Sequence, residues 1–426
     1  MALLRREFLK TAAATGVIAS AATKLAAAQA AETGSKSTPD ALANAKMLGA
    51  RMVKWQSPYG STDLEKCPHR SPVGSSTIGV VQGIGPQVRA LYRLYQATGN
   101  EQYKTAADRY AIFVLSTLHD PPTPLTNMIE IGAKRVHTNS SAWVYGKSLS
   151  PCYEWFTANN PSEDLLNLKA YAIYRWLQRH RRDDSYFGVG YGIPEYQDAQ
   201  FSCDLGEVGT GLVGFYKRTS HPAALDDALG LANYFLTEYE EGSARGVWSS
   251  KLGAWLVGPW PGGGAEHFTT QRYNESAWGW SCLVVGEFLL ELRPFVKDDA
   301  IRKSIDAKCV DACRWCLDAC QFEDGAHGMF GRDDKWVGQG AAAILLYAKL
   351  VDAKLVASHV EQTYRPKIER SWQWMLRHTG PDTYPPDGYI KVNGSTTTKP
   401  PENLMWMMSW TIEALLAGRQ LFAEQT

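Results

Sequence analysis

The chain repeats itself at long range. Three stretches carry a glycine pair, an apolar run and a closing tyrosine: Gly83-Ile-Gly85 before Leu91-Tyr92, Gly209-Thr-Gly211 before Phe215-Tyr216, and Gly338-Gln-Gly340 before Leu346-Tyr347. Gly85, Gly211 and Gly340 stand 126 and then 129 residues apart. Intermediate units begin near Ser148 (Ser-Leu-Ser-Pro-Cys-Tyr-Glu-Trp-Phe), at Gly279 (Gly-Trp-Ser-Cys-Leu-Val-Val-Gly-Glu-Phe) and near Met405 (Met-Trp-Met-Met-Ser-Trp). Six units of roughly sixty-four residues then fill the chain after its leader. A unit this short cannot bury its apolar face alone and must stack on the next, which restricts the fold to repeat architectures.

Each unit reads as a helical hairpin followed by a long loop. Residues 86–98 and 101–118 are expected as helices, with Gly99-Asn100 ending the first in a left-handed cap. Residues 212–219 and 223–239 repeat this around Ser220-His221-Pro222. The first helix of a pair is rich in glycine and alanine and poor in charge, as in 338–349, which predicts burial nearly all round. The second carries a charged face, as in 162–180 and 299–322. Inner helices wrapped by outer ones satisfy both patterns, so the expectation is an all-α fold, an (α/α)6-7 toroid with long loops at one end, forming one domain over residues 31–426. Neither end unit is polar, as the caps of an open solenoid would be.

The first thirty residues read as an address. Leu4-Arg5-Arg6-Glu7-Phe8-Leu9-Lys10, an Ala-rich stretch over 11–23 and Ala26-Ala27-Ala28-Gln29-Ala30 resemble a twin-arginine export signal with its small-residue cleavage site. Leu4 departs from the pattern, which prefers a hydroxyl there. The alternative is an uncleaved anchor, disfavoured because alanine contributes little insertion energy. The resemblance implies folding in the cytoplasm and work in the periplasm or outside the cell. Forty-four basic residues balance forty-four acidic ones, against a nucleic-acid binder. Mean hydropathy is −0.29, and no long apolar stretch follows the leader, so no membrane association is expected after signal removal.

Cys309, Cys313, Cys316 and Cys320 fall at i, i+4, i+7 and i+11 spacing, one stripe on one helix. Eleven residues at about 1.5 Å rise spread these sulfurs over roughly 16 Å, too far for one zinc ion at about 2.3 Å from each. The stripe is expected as a buried packing face, and no metal is expected. No organic cofactor is expected either, since the glycine pairs precede buried helices without the strand and acidic partner of a dinucleotide site.

The hairpin pattern of residues 85–113 and the loop Phe322-Glu323-Asp324-Gly325 through Gly328-Met329-Phe330-Gly331-Arg332-Asp333-Asp334-Lys335-Trp336 resemble the (α/α) toroids of carbohydrate-active enzymes. These include polysaccharide lyases acting on uronate polymers such as alginate or glucuronan, and hydrolases acting on unsaturated uronides. The expected partner is therefore an acidic polysaccharide. Loops of the length seen between units are more often functional than mere connectors. Trp248, Trp255, Trp260, Trp336, Tyr191 and Tyr389 are expected to stack on sugar rings, with Arg332 and Lys335 available to carboxylates.

Elimination demands a neutralised carboxylate, a base for the α-proton and an acid for the leaving oxygen. Lyases of this architecture often use Asn, His, Arg and Tyr, and two segments hold that set: Arg135-Val136-His137-Thr138-Asn139 and Glu266-His267 with Arg272-Tyr273-Asn274. The resemblance implies Asn139 and Arg272 on the carboxylate, His267 or His137 as base, and Tyr273 as acid. A hydrolase would instead need paired carboxyl groups, for which Asp198, Asp204, Glu207, Asp333 and Asp334 stand available. A non-catalytic glycan binder would need the aromatics alone.

Overall fold

The computed structural model describes residues 40–58, 60, 84–117, 174, 202–240, 246–257, 276–329, 331, 332, 335, 337–381 and 404–422. Ten α-helices appear among them: α1 (Ala41–Lys54), α2 (Ile84–Thr98), α3 (Glu101–Thr117), α4 (Ser202–Thr219), α5 (Pro222–Leu236), α6 (Gly279–Leu292), α7 (Asp299–Ala319), α8 (Val337–Asp352), α9 (Ser358–His378) and α10 (Leu404–Phe422). A two-residue hairpin, β1 (Trp248–Ser249) with β2 (Ala254–Trp255), is antiparallel. The fold is an all-α toroid of (α/α) hairpins, as the repeat predicts. The second unit falls in 118–201, outside the described residues except for Tyr174. That side chain stacks on Phe215 and donates a 2.7 Å hydrogen bond to Asp227.

The even-numbered helices form the inner layer. Their register is parallel: Gly206 of α4 lies against Val284 and Val285 of α6, and Gly209 against Phe288. Gly279 of α6 faces Gln339 and Ala342 of α8, and Gly286 faces Leu346; Gly338 of α8 meets Met407 of α10. Almost all of α6 is buried, including Trp280, Leu283 and Phe288, as a helix flanked on both sides and backed by an outer helix requires. The contact at Gly206 is tight because a Cβ there would stand 2.9 Å from the Val285 backbone nitrogen.

The hairpin turns repeat atom for atom. Gly99 N–H donates to Tyr95 O at 2.7 Å and Ser220 N–H donates to Tyr216 O at 2.7 Å, both residues having positive φ. Each preceding threonine, Thr98 and Thr219, donates its hydroxyl back to the carbonyl four residues earlier and accepts from the amide two residues later. Asn100 then caps α3 by accepting from Gln102 N–H, whereas Pro222 opens α5 with no side-chain cap. Asp298 caps α7 by accepting from Ala300 and Ile301.

The sequence pattern misses α1, which completes the outer layer beside α10. Asn44 donates to Leu376 O and Thr379 Oγ1 at the end of α9. On its other side, Tyr103 and Tyr110 of α3 donate to Lys46 O and Met52 O of α1, and Gln56 donates to Ala106 O. The first helix of the domain thus bridges the first and last hairpins. The cysteine stripe faces inward as expected: Cys309, Cys313, Cys316 and Cys320 are all buried, as is Cys282 of α6. No group that could hold a metal ion occurs among the described residues.

Ser220 pays the steric cost of a left-handed conformation that its counterpart Gly99 avoids. Ser220→Gly is expected to stabilise the fold by about 0.5–1 kcal/mol, read from urea unfolding. Gly206→Ala places a methyl against backbone that cannot give, and is expected to cost about 1–3 kcal/mol in the same assay.

Candidate functional site at the heads of the inner helices

The two ends of the hairpins differ. Turns from inner to outer helix are short, spanning 99–100, 220–221, 293–298 and 353–357, whereas the returns to the next inner helix span 237–278, 320–336 and 379–403. With the inner helices parallel, these long returns all lead into the heads of α6, α8 and α10, at one end of the ring.

Two tryptophans meet there. Trp280 of α6 and Trp410 of α10 pack edge to face with centroids 4.6 Å apart, although α8 lies between their helices in the inner layer. The rings therefore fill the middle of the ring. The Arg89 guanidinium of α2 lies 4.6 Å from the Trp410 centroid. Gln339 near the head of α8 is buried with its side-chain oxygen lacking a hydrogen-bond partner, and so is the Trp410 indole N–H. A buried polar atom left unpaired costs about 1–3 kcal/mol, and with Trp280, Trp410 and Gln339 all buried the partner that fits is an ordered water within the core of the ring.

Below the tryptophans lies a charged cluster. Arg89 donates from Nη1 to Glu287 of α6 at 3.2 Å and pairs from Nε with Glu413 of α10 at 2.9 Å. Lys349 of α8 reaches Glu287 at 2.9 Å and Glu291 at 3.7 Å, and Lys217 of α4 pairs with Glu291. The two carboxyl groups on Arg89 diverge. Burial alone would raise Glu287, but Arg89 and then Lys349 outweigh it and hold the carboxyl at about 2. Glu413 has Arg89 and Arg93 without Lys349, and burial together with the negative Glu287 outweighs them and raises its carboxyl. With side chains 8% and 10% exposed, the two glutamates act as ties between helices, not as an open acid–base pair.

The loop after α7 is tied to itself and to α9. Phe322 N–H donates to Ala326 O, Gly328 N–H to Cys320 O, and Gln321 donates to Lys367 O and Ser371 Oγ at 2.6 Å each. His327 is buried with Nε2 2.7 Å from Ser371 Oγ, and burial lowers it to about 3, so it is neutral at physiological pH.

The expected site residues divide accordingly. Arg332 is on this loop and donates to Gln321 O and Asp318 O; Lys335 pairs with Asp324. Trp248 and Trp255 correct the sequence reading. They are 3% and 0% exposed and packed edge to face, Trp248 under Lys308 and Trp255 donating to Phe235 O, so neither offers a ring face to a sugar. Aromatic content in a loop does not reveal that the loop folds into a hairpin, here one whose next residues cap α4 through Ser202. Glu207 lies on the second turn of α4 and is buried; Asp204 shares that helix. Asn139, His137, His267, Arg272, Tyr273, Trp260, Tyr191, Trp336, Tyr389, Asp198, Asp333 and Asp334 lie outside the described residues, as does the leader. Sequence reasoning missed Arg89, Trp280, Gln339 and Trp410; a charged residue in an otherwise apolar inner helix was the available signal.

No protein-family model and no curated protein matches the chain. Solved structures do. A possible member of the GH105 family from Klebsiella pneumoniae is similar at 13% identity over 91% of this chain and 95% of that one, TM-score 0.59. A cellobiose 2-epimerase from Spirochaeta thermophila aligns at 14% identity over 89% and 97%, TM-score 0.59. A polysaccharide lyase aligns at 12% identity over 88% and 98%, TM-score 0.55. These likenesses establish a shared toroid fold, and all three neighbours are named for activities on sugars or belong to a glycoside hydrolase family.

The divergence of Glu287 gives a pH test. Its folded value near 2 lies below the ordinary 4.5, so its ion pairs stabilise the fold fully above pH 4.5 and are lost as pH falls through 2. The interval corresponds to roughly 3 kcal/mol. The gap in unfolding free energy between wild type and Glu287→Gln is expected to narrow by about that much between pH 6 and pH 2.

Proposed function

We propose that the chain is an exported enzyme that cleaves a uronic-acid-containing polysaccharide by β-elimination. The observation that supports this reading is the asymmetry of the hairpins: short turns at one end, and long returns leading into the heads of the inner helices at the other. The loop residues that fit elimination all belong to such returns, Asn139 and His137 to the one after α3, and His267, Arg272 and Tyr273 to the one before α6.

In this reading Arg272 and Asn139 donate hydrogen bonds to the uronate carboxylate, so that negative charge developing on removal of the α-proton is stabilised. His267 or His137 accepts that proton as the carbon–hydrogen bond breaks. The bond from the β-carbon to the glycosidic oxygen then breaks, a carbon–carbon double bond forms, and Tyr273 protonates the departing oxygen. Trp260, Tyr191, Trp336 and Tyr389 would stack on neighbouring sugar rings, with Arg332 and Lys335 near flanking carboxylates. The twin-arginine leader would deliver the folded enzyme to the periplasm or beyond, where such polymers are met.

Hydrolysis by paired carboxyl groups is the second reading, favoured by buried Glu207 on the second turn of α4 and by the GH105-family neighbour. Incubation of the protein from residue 31 onward with alginate, glucuronan, pectate and glycosaminoglycans separates them. Elimination is expected to generate ultraviolet absorbance from a conjugated unsaturated product, with His267→Ala and Tyr273→Phe each lowering that rate about 100-fold or more. New reducing ends without absorbance would assign hydrolysis, and a rearranged sugar without chain cleavage would assign an epimerase.

A further inference from the structure

The return after α7 is built as a fixed platform. Gln321 and His327 pair across it, and both side chains meet the Ser371 hydroxyl of α9. Arg332 ties the far end to Gln321 O and Asp318 O, and Asp324 Oδ1 accepts from Ala326 N–H. The cost of ordering this segment is thus met within the fold and does not fall on a ligand. Outward, the platform presents Lys335 paired with Asp324 at 2.6 Å, their side chains 23% and 43% exposed, with the ammonium 5.3 Å from the Phe322 centroid. The pair carries no net charge but keeps N–H donors on Lys335 and lone pairs on Asp324. His378, the last residue of α9, stands within electrostatic reach of both. Its half-buried ring stacks on Trp374 with centroids 4.1 Å apart, and Nδ1 is 2.8 Å from Trp374 O. A carbonyl can only accept, so Nδ1 carries the proton and the lone pair of the neutral imidazole sits on Nε2. No described residue donates to that nitrogen.

We propose that Asp324, Lys335 and His378 form a sugar-binding subsite that recognises vicinal hydroxyl groups. All three belong to the long-return end of the ring, Asp324 and Lys335 on the return 320–336 and His378 where the return 379–403 begins. A vicinal diol offers two O–H donors and two acceptor oxygens on neighbouring carbons. Asp324 and His378 Nε2 accept the hydroxyl hydrogens, and Lys335 donates to a hydroxyl oxygen. Because Asp324 balances Lys335, hydroxyl groups fit the subsite better than a second carboxylate does. Lys335 then serves the hydroxyl groups of the ring whose carboxylate it was expected to meet. A histidine that merely ended α9 would need Nδ1 alone; here the second nitrogen keeps an open lone pair near a carboxylate and an ammonium. Burial lowers the pKa of His378, which keeps that lone pair available at physiological pH. The inference rests on the reading of the long returns as a saccharide site, and not on β-elimination.

Calorimetric titration of the full chain with saturated trisaccharides of glucuronate, mannuronate and galacturonate tests it, the Tyr273→Phe protein replacing wild type for any trisaccharide that is consumed. His378→Phe keeps a flat ring on Trp374 but has no acceptor, and Asp324→Asn keeps the shape but loses the charge. Each is expected to weaken binding of the tightest trisaccharide about 3- to 10-fold, as the loss of one hydrogen bond does. Nitrogen-15 spectra of the histidine side chains give a second readout, with the His378 signals assigned by their disappearance in His378→Phe. The free protein is expected to show the tautomer protonated on Nδ1, and saturation with the trisaccharide to shift the Nε2 signal, which a purely structural histidine would not do. Unchanged affinity in both variants, or an unmoved Nε2 signal at saturation, overturns the subsite and leaves the saccharide reading standing. Failure of all three trisaccharides to bind overturns both.

Discussion

A ring of hairpins depends on its closure. Among the described inner helices, α4 and α6, α6 and α8, and α8 and α10 are each joined through an outer helix and a return of the chain, but α2 and α10 are held together by contact alone. The domain answers in both layers. In the outer layer, α1 lies between α3 and α9, with Asn44 on one flank and the tyrosine hydroxyls of Tyr103 and Tyr110 on the other. In the inner layer Arg89 ties α2 to α10 and α6 at once. Such buried ion pairs cost desolvation energy that hydrophobic contacts would not, so their value here lies in specifying which helix meets which. An apolar contact at the seam would tolerate slippage of one inner helix along another; a guanidinium that must satisfy glutamates on two different helices would not.

The same need for close approach explains the glycines and thiols. Inner helices packed on both sides need small residues wherever backbones meet, and the sequence meets that need with Gly206, Gly209, Gly279 and Gly286. Cysteine serves the layer interface in the same way: Cys282 of α6 and Cys316 of α7 are neighbours, and Gly279 lies against the Cys316 sulfur. Burial pushes the Cys309 and Cys313 thiols upward, and a hydrogen bond with Cys282 together with burial does the same for Cys316, away from the thiolate that metal binding or oxidation requires.

The parts of the fold legible in the sequence are those whose cause is local. The turns at Gly99 and Ser220 follow from one short Thr-anchored pattern, and the burial of α6 and α8 follows from their long uncharged stretches, 279–286 and 337–348. Helix α1 was not legible, because its reason for existing lies more than three hundred residues away at Thr379 and along α10. Trp248 and Trp255 were misread for a related reason: a tryptophan that packs a hairpin onto α5 and α7 has the same sequence context as one that awaits a sugar. Arg89 was overlooked because an arginine in an inner helix resembles an outer-face residue until its partners on α6 and α10 are known.

The arrangement separates the work of holding from the work of reacting. Charges that must stay paired lie below Trp280 and Trp410, where Glu287 and Glu413 are locked to Arg89 and shielded from a ligand. The residues proposed for the chemistry belong to the long returns, whose ends the helices bring to one end. Solved structures at 12–14% identity to this chain carry different names on one fold, so the fold is compatible with elimination, hydrolysis or epimerisation and the side chains of the site decide among them.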